Sequence, residues 1–369
     1  MNFYLILVLL FVFIFIFFSL FYNLFRSLFQ KNDGGFDVSD FNFTFEKTNI
    51  IRGLAIYGIF ISHIATHYTL YLSPNFIEKY VIYITVLLGD LGVAIFFFLS
   101  GYGNYISIDS RLKENSYKSI NFWIVDRLKK MLLTFFVCYF IDLAVNVLLF
   151  KNILSIKDIL IDLVTLSVPN VTTWYFKIQL LLYIITYLGV ILLKSNKHLI
   201  SFVFGFSLVY IIVMYKFKFG AFWWQNTMAY CIGMIFVRYK NQFSVLINKY
   251  GCKLVSIMSI VFSGIFFLFA EVIFSNNFIF RIIFMSLMIL FLGISLLQIN
   301  YKNSFWINII SWAGKASLSI YLIHAGIVEV CFVNKIVTIK NTVVFLALTI
   351  ILSYLENKIS KFITLQVKG

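Results

Sequence analysis

Runs of about twenty residues with almost no charge recur along this chain, and nothing else in it limits the fold as tightly. The first is MNFYLILVLLFVFIFIFFSL at residues 1–20. A run of that length crosses the hydrocarbon of a bilayer as one helix. Hydrophobic residues make up 62% of the chain, charged ones 12%, and mean hydropathy is +0.95. A soluble domain is roughly half apolar and a quarter charged, so this chain has too little polar surface for water. A membrane barrel is excluded as well, because its strands alternate polar and apolar residues over about ten positions. Two prolines and unbroken apolar runs predict helices instead.

Eleven spans are predicted, near 3–22, 50–72, 81–106, 131–150, 172–193, 199–215, 220–237, 254–274, 278–299, 316–334 and 342–362. The fold class is therefore an all-α polytopic membrane protein with about ten core transmembrane helices plus one extra N-terminal helix. The extra helix (1–25) lacks the basic start and small-residue cleavage site of a signal peptide, so it is expected to be retained. A polar, acidic cytosolic linker (26–47) separates it from a membrane-embedded domain (48–365).

The formal charge of +15 does not point to nucleic acid, because the basic residues sit mainly in short loops. Some two thirds of the 30 Lys and Arg fall in one set of alternate loops. The positive-inside rule then puts the N-terminus outside and the C-terminus in the cytosol. With every loop short, any chemistry must take place among the helices. Cys138, Cys231, Cys252 and Cys331 lie in or beside apolar runs without metal-type spacing and read as buried small hydrophobes.

Ionisable side chains inside such spans are costly, so they need a partner or a task. In IRGLAIYGIFISHIATHY (51–68), Arg52 and His63 are eleven positions apart. That is three helical turns to within about 20°, with an axial separation of about 16 Å. Both side chains leave one face, the cation at the cytosolic mouth and the imidazole near mid-membrane. Asp90 and His324 reach similar depth. Asp142 reads as a hydrogen-bonding group between helices, and His67 and Glu329 as outer, interfacial residues. HxxxH at His63 and His67, even with His324, lacks a clear ligand set, so no metal is expected.

The pair Ser100-Gly101, followed by Tyr102 and Gly103, gives a small-residue patch where another backbone or a ligand can approach. Arg127, Lys129 and Lys130 cluster at the cytosolic start of a helix. They suit phosphate binding and positive-inside anchoring equally well.

Several segments together resemble the acyltransferase-3 family of integral-membrane acyltransferases. They are Arg52-Gly53 with His63, Phe96-Phe97 with Ser100-Gly101, Phe122 to Arg127, TWYFKIQLLLY (173–183) and Tyr321-Leu322-Ile323-His324. The likeness runs from about residue 48 to 362. It implies about ten core helices and transfer of an acyl group, usually acetyl, from cytosolic acyl-coenzyme A to sugar hydroxyls. The acceptors implied are surface glycans or their lipid-linked precursors, in a bacterial cytoplasmic membrane.

Arg52 and His63 are the functional pair that the resemblance carries over. His63, Asp90 and His324 are the expected catalytic residues. Arg52, Arg127 and Lys130 are expected to bind the coenzyme, and Ser100, Tyr102, Trp174 and Tyr321 to line the substrate pocket. Many relatives carry an acid where this chain has Ala94, and Asp90, one turn earlier, is expected to replace it beside His63. An interhelical hydrogen bond is the competing reading of Asp90. The rival function is a transporter or exporter of a glycan or small anion, since midplane polar groups also mark translocation paths.

Overall fold

Polar caps set where the apolar runs begin as helices. In the computed structural model, residues 6–15, 43–71, 75–113, 117–151, 154–169, 173–194, 196–297, 304–332 and 338–366 are described. Helix α1 spans Ile6–Phe15; the 26–42 part of the expected linker lies outside the described residues. Helix α2 spans Phe45–Tyr71, and the Thr44 hydroxyl accepts the Lys47 amide at its start. Helix α3 (Phe76–Lys113) opens on a reciprocal capping box. There Asn75 Oδ1 accepts the Glu78 amide at 2.9 Å while Glu78 Oε2 accepts the Asn75 amide at 2.9 Å.

The remaining helices are α4 (Tyr117–Phe150), α5 (Ile156–Thr165), α6 (Trp174–Leu193), α7 (Asn196–Lys216), α8 (Met228–Arg238), α9 (Lys240–Tyr250), α10 (Cys252–Leu268), α11 (Phe278–Leu297), α12 (Phe305–Lys315), α13 (Ser317–Phe332) and α14 (Ile339–Gln366). Eight of them are long and apolar enough to cross a membrane: α2, α3, α4, α6, α7, α10, α11 and α14. Helices α1 and α13 are apolar but shorter. The chain is an all-α membrane protein.

One expected span departs from the prediction. Residues 220–237 form a 3-10 turn (Ala221–Trp223), a further turn, and then only the eleven residues of α8. Eleven residues rise about 16 Å, roughly half the hydrocarbon thickness. The cause is Gln225-Asn226-Thr227, all buried, which interrupts the apolar run. A second irregularity closes α10, where Phe269–Ile273 winds as a π-helical turn carrying the buried Glu271. Helices α5, α9 and α12 are short additions that the hydropathy reading did not predict.

Helix α2 is the hub, packed against α3, α12 and α13. Its closest approaches run through glycine. A Cβ on Gly53 would strike the Ile310 carbonyl of α12, and one on Gly314 would strike the Asn49 carbonyl of α2. Gly92 of α3 lies against the Ala55 carbonyl of α2. Helices α3 and α8 touch in the same way, Gly101 against the Tyr230 carbonyl and Gly233 against the Phe98 carbonyl. Without a hydrophobic force between helices in lipid, such small-residue contacts let backbones approach and gain dispersion energy. Of the two readings of the Ser100-Gly101 patch, Gly101 takes the backbone and Ser100 the cavity described below. Cys138, Cys231 and Cys331 are buried, as read from the sequence, and the Cys252 side chain lies outside the described residues.

These contacts predict a graded glycine series. Gly101→Ala and Gly314→Ala should each lower the thermal unfolding temperature of the detergent-solubilised protein, since overpacking costs about 1–3 kcal/mol. Gly103→Ala, whose Cβ would meet nothing within 4 Å, should not. Equal unfolding temperatures for all three would show that the helices are not held at backbone contact.

Candidate active site

A cavity of about 290 Å³ opens between α2, α3, α4, α6 and α13. Arg52, Arg127 and Lys130 line it, with Ser100, Tyr175, Gln179, Tyr183, Ser317 and Tyr321 among the other walls, and no acidic residue does among the described residues. The three residues expected to bind a coenzyme, from two different helices, therefore share one space. Such a cluster of cations in a confined space is suited to holding an anion.

The cations are held differently. Arg127 Nη1 donates to Asn104 Oδ1 at 3.0 Å and to the Tyr183 hydroxyl at 3.3 Å. Asn104 Nδ2 in turn donates to the Tyr230 hydroxyl at 2.7 Å, which is 2.9 Å from Thr186 Oγ1. The Arg127 guanidinium also stands 5.0 Å over the Trp123 ring. That fork is fixed before any ligand arrives, so little entropy is lost when it binds one. Lys130 instead pairs on the surface with Asp126, one turn back, at 2.6 Å. Such an exposed pair contributes little and is readily exchanged.

Tyr175 and Tyr321 meet edge to face, ring centroids 5.1 Å apart, in the wall of the cavity. Behind Tyr321 lies His324, at 5.6 Å, and beyond it His63, 5.0 Å from His324. The continuous α2 thus does what its periodicity predicts, carrying Arg52 to the cavity and His63 to the end of this aromatic path. His324 is fully buried, with its Nδ1 3.0 Å from the Ile320 carbonyl. A carbonyl only accepts, so Nδ1 carries the proton and Nε2 holds a lone pair. That Nε2 is buried without a hydrogen-bond partner. Within residues 58–68 of α2, His63 is half-buried and Thr66 exposed, while their neighbours are buried.

Helix α13 is fixed from its other side. The Ser319 hydroxyl donates to Glu356 Oε2 at 2.6 Å, and Ser360 donates to Oε1 at 2.6 Å. Glu356 of α14 is itself buried. It anchors the turn of α13 that presents Ser317 and Tyr321 to the cavity.

Three expected site residues lie elsewhere. Tyr102 packs against Phe43, its hydroxyl accepting the Phe43 amide at 3.2 Å, away from the cavity. Trp174 contacts Phe222 and the edge of Tyr175. Asp90 faces α8, where Gln225 hydrogen-bonds its carboxyl and Asn226 Nδ2 donates to its carbonyl at 3.3 Å. The ring that meets His63 is that of His324 on α13. Ala94 is buried. Asp142 is also buried, packed on Gly326 of α13, and neither carboxyl oxygen has a hydrogen-bond partner. The Glu329 side chain lies outside the described residues. Conversely, Tyr175, Gln179 and Tyr183 line the cavity without having been singled out. Their i, i+4, i+8 spacing inside TWYFKIQLLLY is the signal that would have found them.

Residues 46–355 match the acyltransferase domain that defines the acyltransferase-3 family. The chain belongs to that family. It is thus a membrane acyltransferase, and the match begins at the start of α2, leaving α1 outside it. Comparison with curated proteins and with solved structures returned no match.

The cation cluster makes one prediction independent of the reaction. Pyrophosphate should raise the unfolding temperature of the purified acyltransferase, and Arg52→Ala or Arg127→Ala should each remove most of that rise. An equal rise in all three proteins would place anion binding outside the cavity.

Proposed function

We propose that this acyltransferase moves an acyl group, acetyl foremost, from cytosolic acyl-coenzyme A to a hydroxyl of a surface polysaccharide or its lipid-linked precursor. In this reading it works in a bacterial cytoplasmic membrane, with the Arg52 end of the bundle in the cytosol and the N-terminus outside. The observation that carries the reading is the line from three cations, through Tyr175 and Tyr321, to two imidazoles. A donor with several phosphates at one end and a thioester at the other fits such a line. No metal is invoked.

The chemistry follows from the residues. Arg52, Arg127 and Lys130 hold the phosphates, and the cavity directs the pantetheine arm toward Tyr321. The acceptor reaches His63, the imidazole with accessible surface. His63 takes the proton of the acceptor hydroxyl as its oxygen attacks the thioester carbon. The carbon–sulfur bond then breaks, and the thiolate leaves with the proton from the His63 imidazolium. His324 is the positioning residue. Its Nε2 lone pair, fixed by the Nδ1 bond to Ile320, is the acceptor for the N–H that His63 carries while charged. In a water-poor site such a pre-oriented acceptor stabilises the developing charge more than it would in water.

Release of free thiol from acetyl-coenzyme A, with acceptor polysaccharide present and the enzyme in nanodiscs, tests this. His63→Ala should lose about 10²–10⁴-fold, the usual worth of a general base. His324→Ala should lower kcat about 10- to 100-fold with little change in KM for either substrate. His324→Gln, which keeps an acceptor oxygen, should recover part of it. Arg52→Lys should raise KM for the donor while leaving kcat closer to wild type, because an ammonium cannot reproduce the guanidinium fork. Full activity in a well-folded His63→Ala protein would remove the base from this account.

A further inference from the structure

A second open space, of about 450 Å³, lies between α9, α10 and α11, apart from the cation-lined cavity. Helix α9 turns Phe243, Leu246, Ile247 and Tyr250 into it, an i, i+3, i+4, i+7 stripe. Met258 stands in the α10 wall and Leu290 in the α11 wall. Only Ser259 and Tyr250 bring a hydroxyl to the groove, and among the described residues no charged one lines it.

An amphipathic helix ordinarily seals its apolar stripe against the protein. Here the stripe borders open space, and Leu246 and Tyr250 stay exposed. A groove so lined offers water almost no hydrogen bonds, and left empty it forfeits dispersion contacts along every wall. A hydrocarbon chain is the occupant that such a lining suits.

The corner of the groove selects what the chain is attached to. Gly251, at φ +83°, turns α9 into α10 directly after Lys249 and Tyr250. The exposed Lys249 Nζ stands 5.2 Å over the Tyr250 ring, so one tyrosine both lines the groove and holds a cation at its edge. Residues 238–253 carry Arg238, Lys240, Lys249 and Lys253, whereas α9, α10 and α11 contain no acid at all. A negative head group therefore meets attraction there and no carboxylate on any of the three helices. Arg238 hydrogen-bonds Tyr105 of α3, the neighbour of the Asn104 that holds Arg127. Helix α9 thus starts at the basic end of the bundle. Lysine on its polar side and Phe, Leu and Tyr on the other give it the composition of a helix that lies at a lipid surface.

We propose that the groove between α9, α10 and α11 is a binding site for an anionic phospholipid, with one acyl chain in the groove and the phosphate at Lys249. The site is independent of the acyl-transfer reading.

Native mass spectrometry of the full chain tests this, with dioleoyl phosphatidylglycerol and dioleoyl phosphatidylcholine added in equal amounts to the detergent-solubilised protein. The wild type should bind its first phosphatidylglycerol about fivefold more tightly than phosphatidylcholine, the worth of one lysine at a lipid surface. Lys249→Gln should bring that ratio close to unity, and Lys249→Arg should keep it. Lys358 stands 5.0 Å over the Tyr354 ring on α14, a helix that does not line the groove, and so supplies a matched control. Lys358→Gln should leave the ratio unchanged. Met258→Trp, which fills the groove, should weaken binding of both lipids. Equal binding of the two lipids by the wild type would overturn the site. So would a ratio lowered as far by Lys358→Gln as by Lys249→Gln, or an undiminished phosphatidylglycerol adduct on folded Met258→Trp protein.

Discussion

Arg52 and His63 keep fixed directions only because α2 touches its neighbours backbone to backbone. Gly53 and Gly314 bring α12 against one side, and Gly92 brings α3 against another. In lipid there is no hydrophobic gain in pressing helices together, so contact area and fit must do it. The glycine beside Arg52 is therefore part of the site's geometry, since a side chain there would push α12 away. Helix α13 adds the fourth wall, tied by Ser319 to the buried Glu356. A rigid α2 then converts a spacing of eleven residues into a fixed offset between the Arg52 guanidinium and the His63 imidazole.

The same lack of water governs the polar groups. Arg127 is satisfied by Asn104 and Tyr183 and braced by Trp123. His324 has one nitrogen satisfied and one free. The turn before α8 has several oxygens free at once. These are graded states of incompletion, and the first two match a task. A cation bonded in advance is preorganised, and a half-bonded imidazole suits the positioning role proposed for His324. The two halves of the bundle thus present opposite chemistries, cationic at the Arg52 end and oxygen-rich at the level of Asp90.

Much of this was legible in the sequence, and what was not has a physical reason. Helical period alone relates Arg52 to His63, because both lie on one continuous helix. The gathering of Arg127, Lys130, Ser100 and Tyr321 with them depends on the family resemblance, since spacing within one helix says nothing about its neighbours. Asp90 shows that limit directly. Its depth follows from position, but the azimuth of α3 about its axis is set by Gly92 on α2 and Gly101 on α8. That rotation turns Asp90 toward Gln225. The break before α8 is hidden because a hydropathy average dilutes Gln225-Asn226-Thr227 among Trp223, Trp224 and Met228. Glu356 is likewise invisible as an anchor until Ser319 is seen beside it.

A structure of the full chain bound to a non-hydrolysable acetyl-coenzyme A analogue tests the central claim most directly. The account predicts phosphates against Arg52, Arg127 and Lys130, the pantetheine arm along Tyr175 and Tyr321, and the acyl carbon at the His63–His324 pair. An analogue bound without touching Arg52, or with its acyl end directed away from His63, would contradict it.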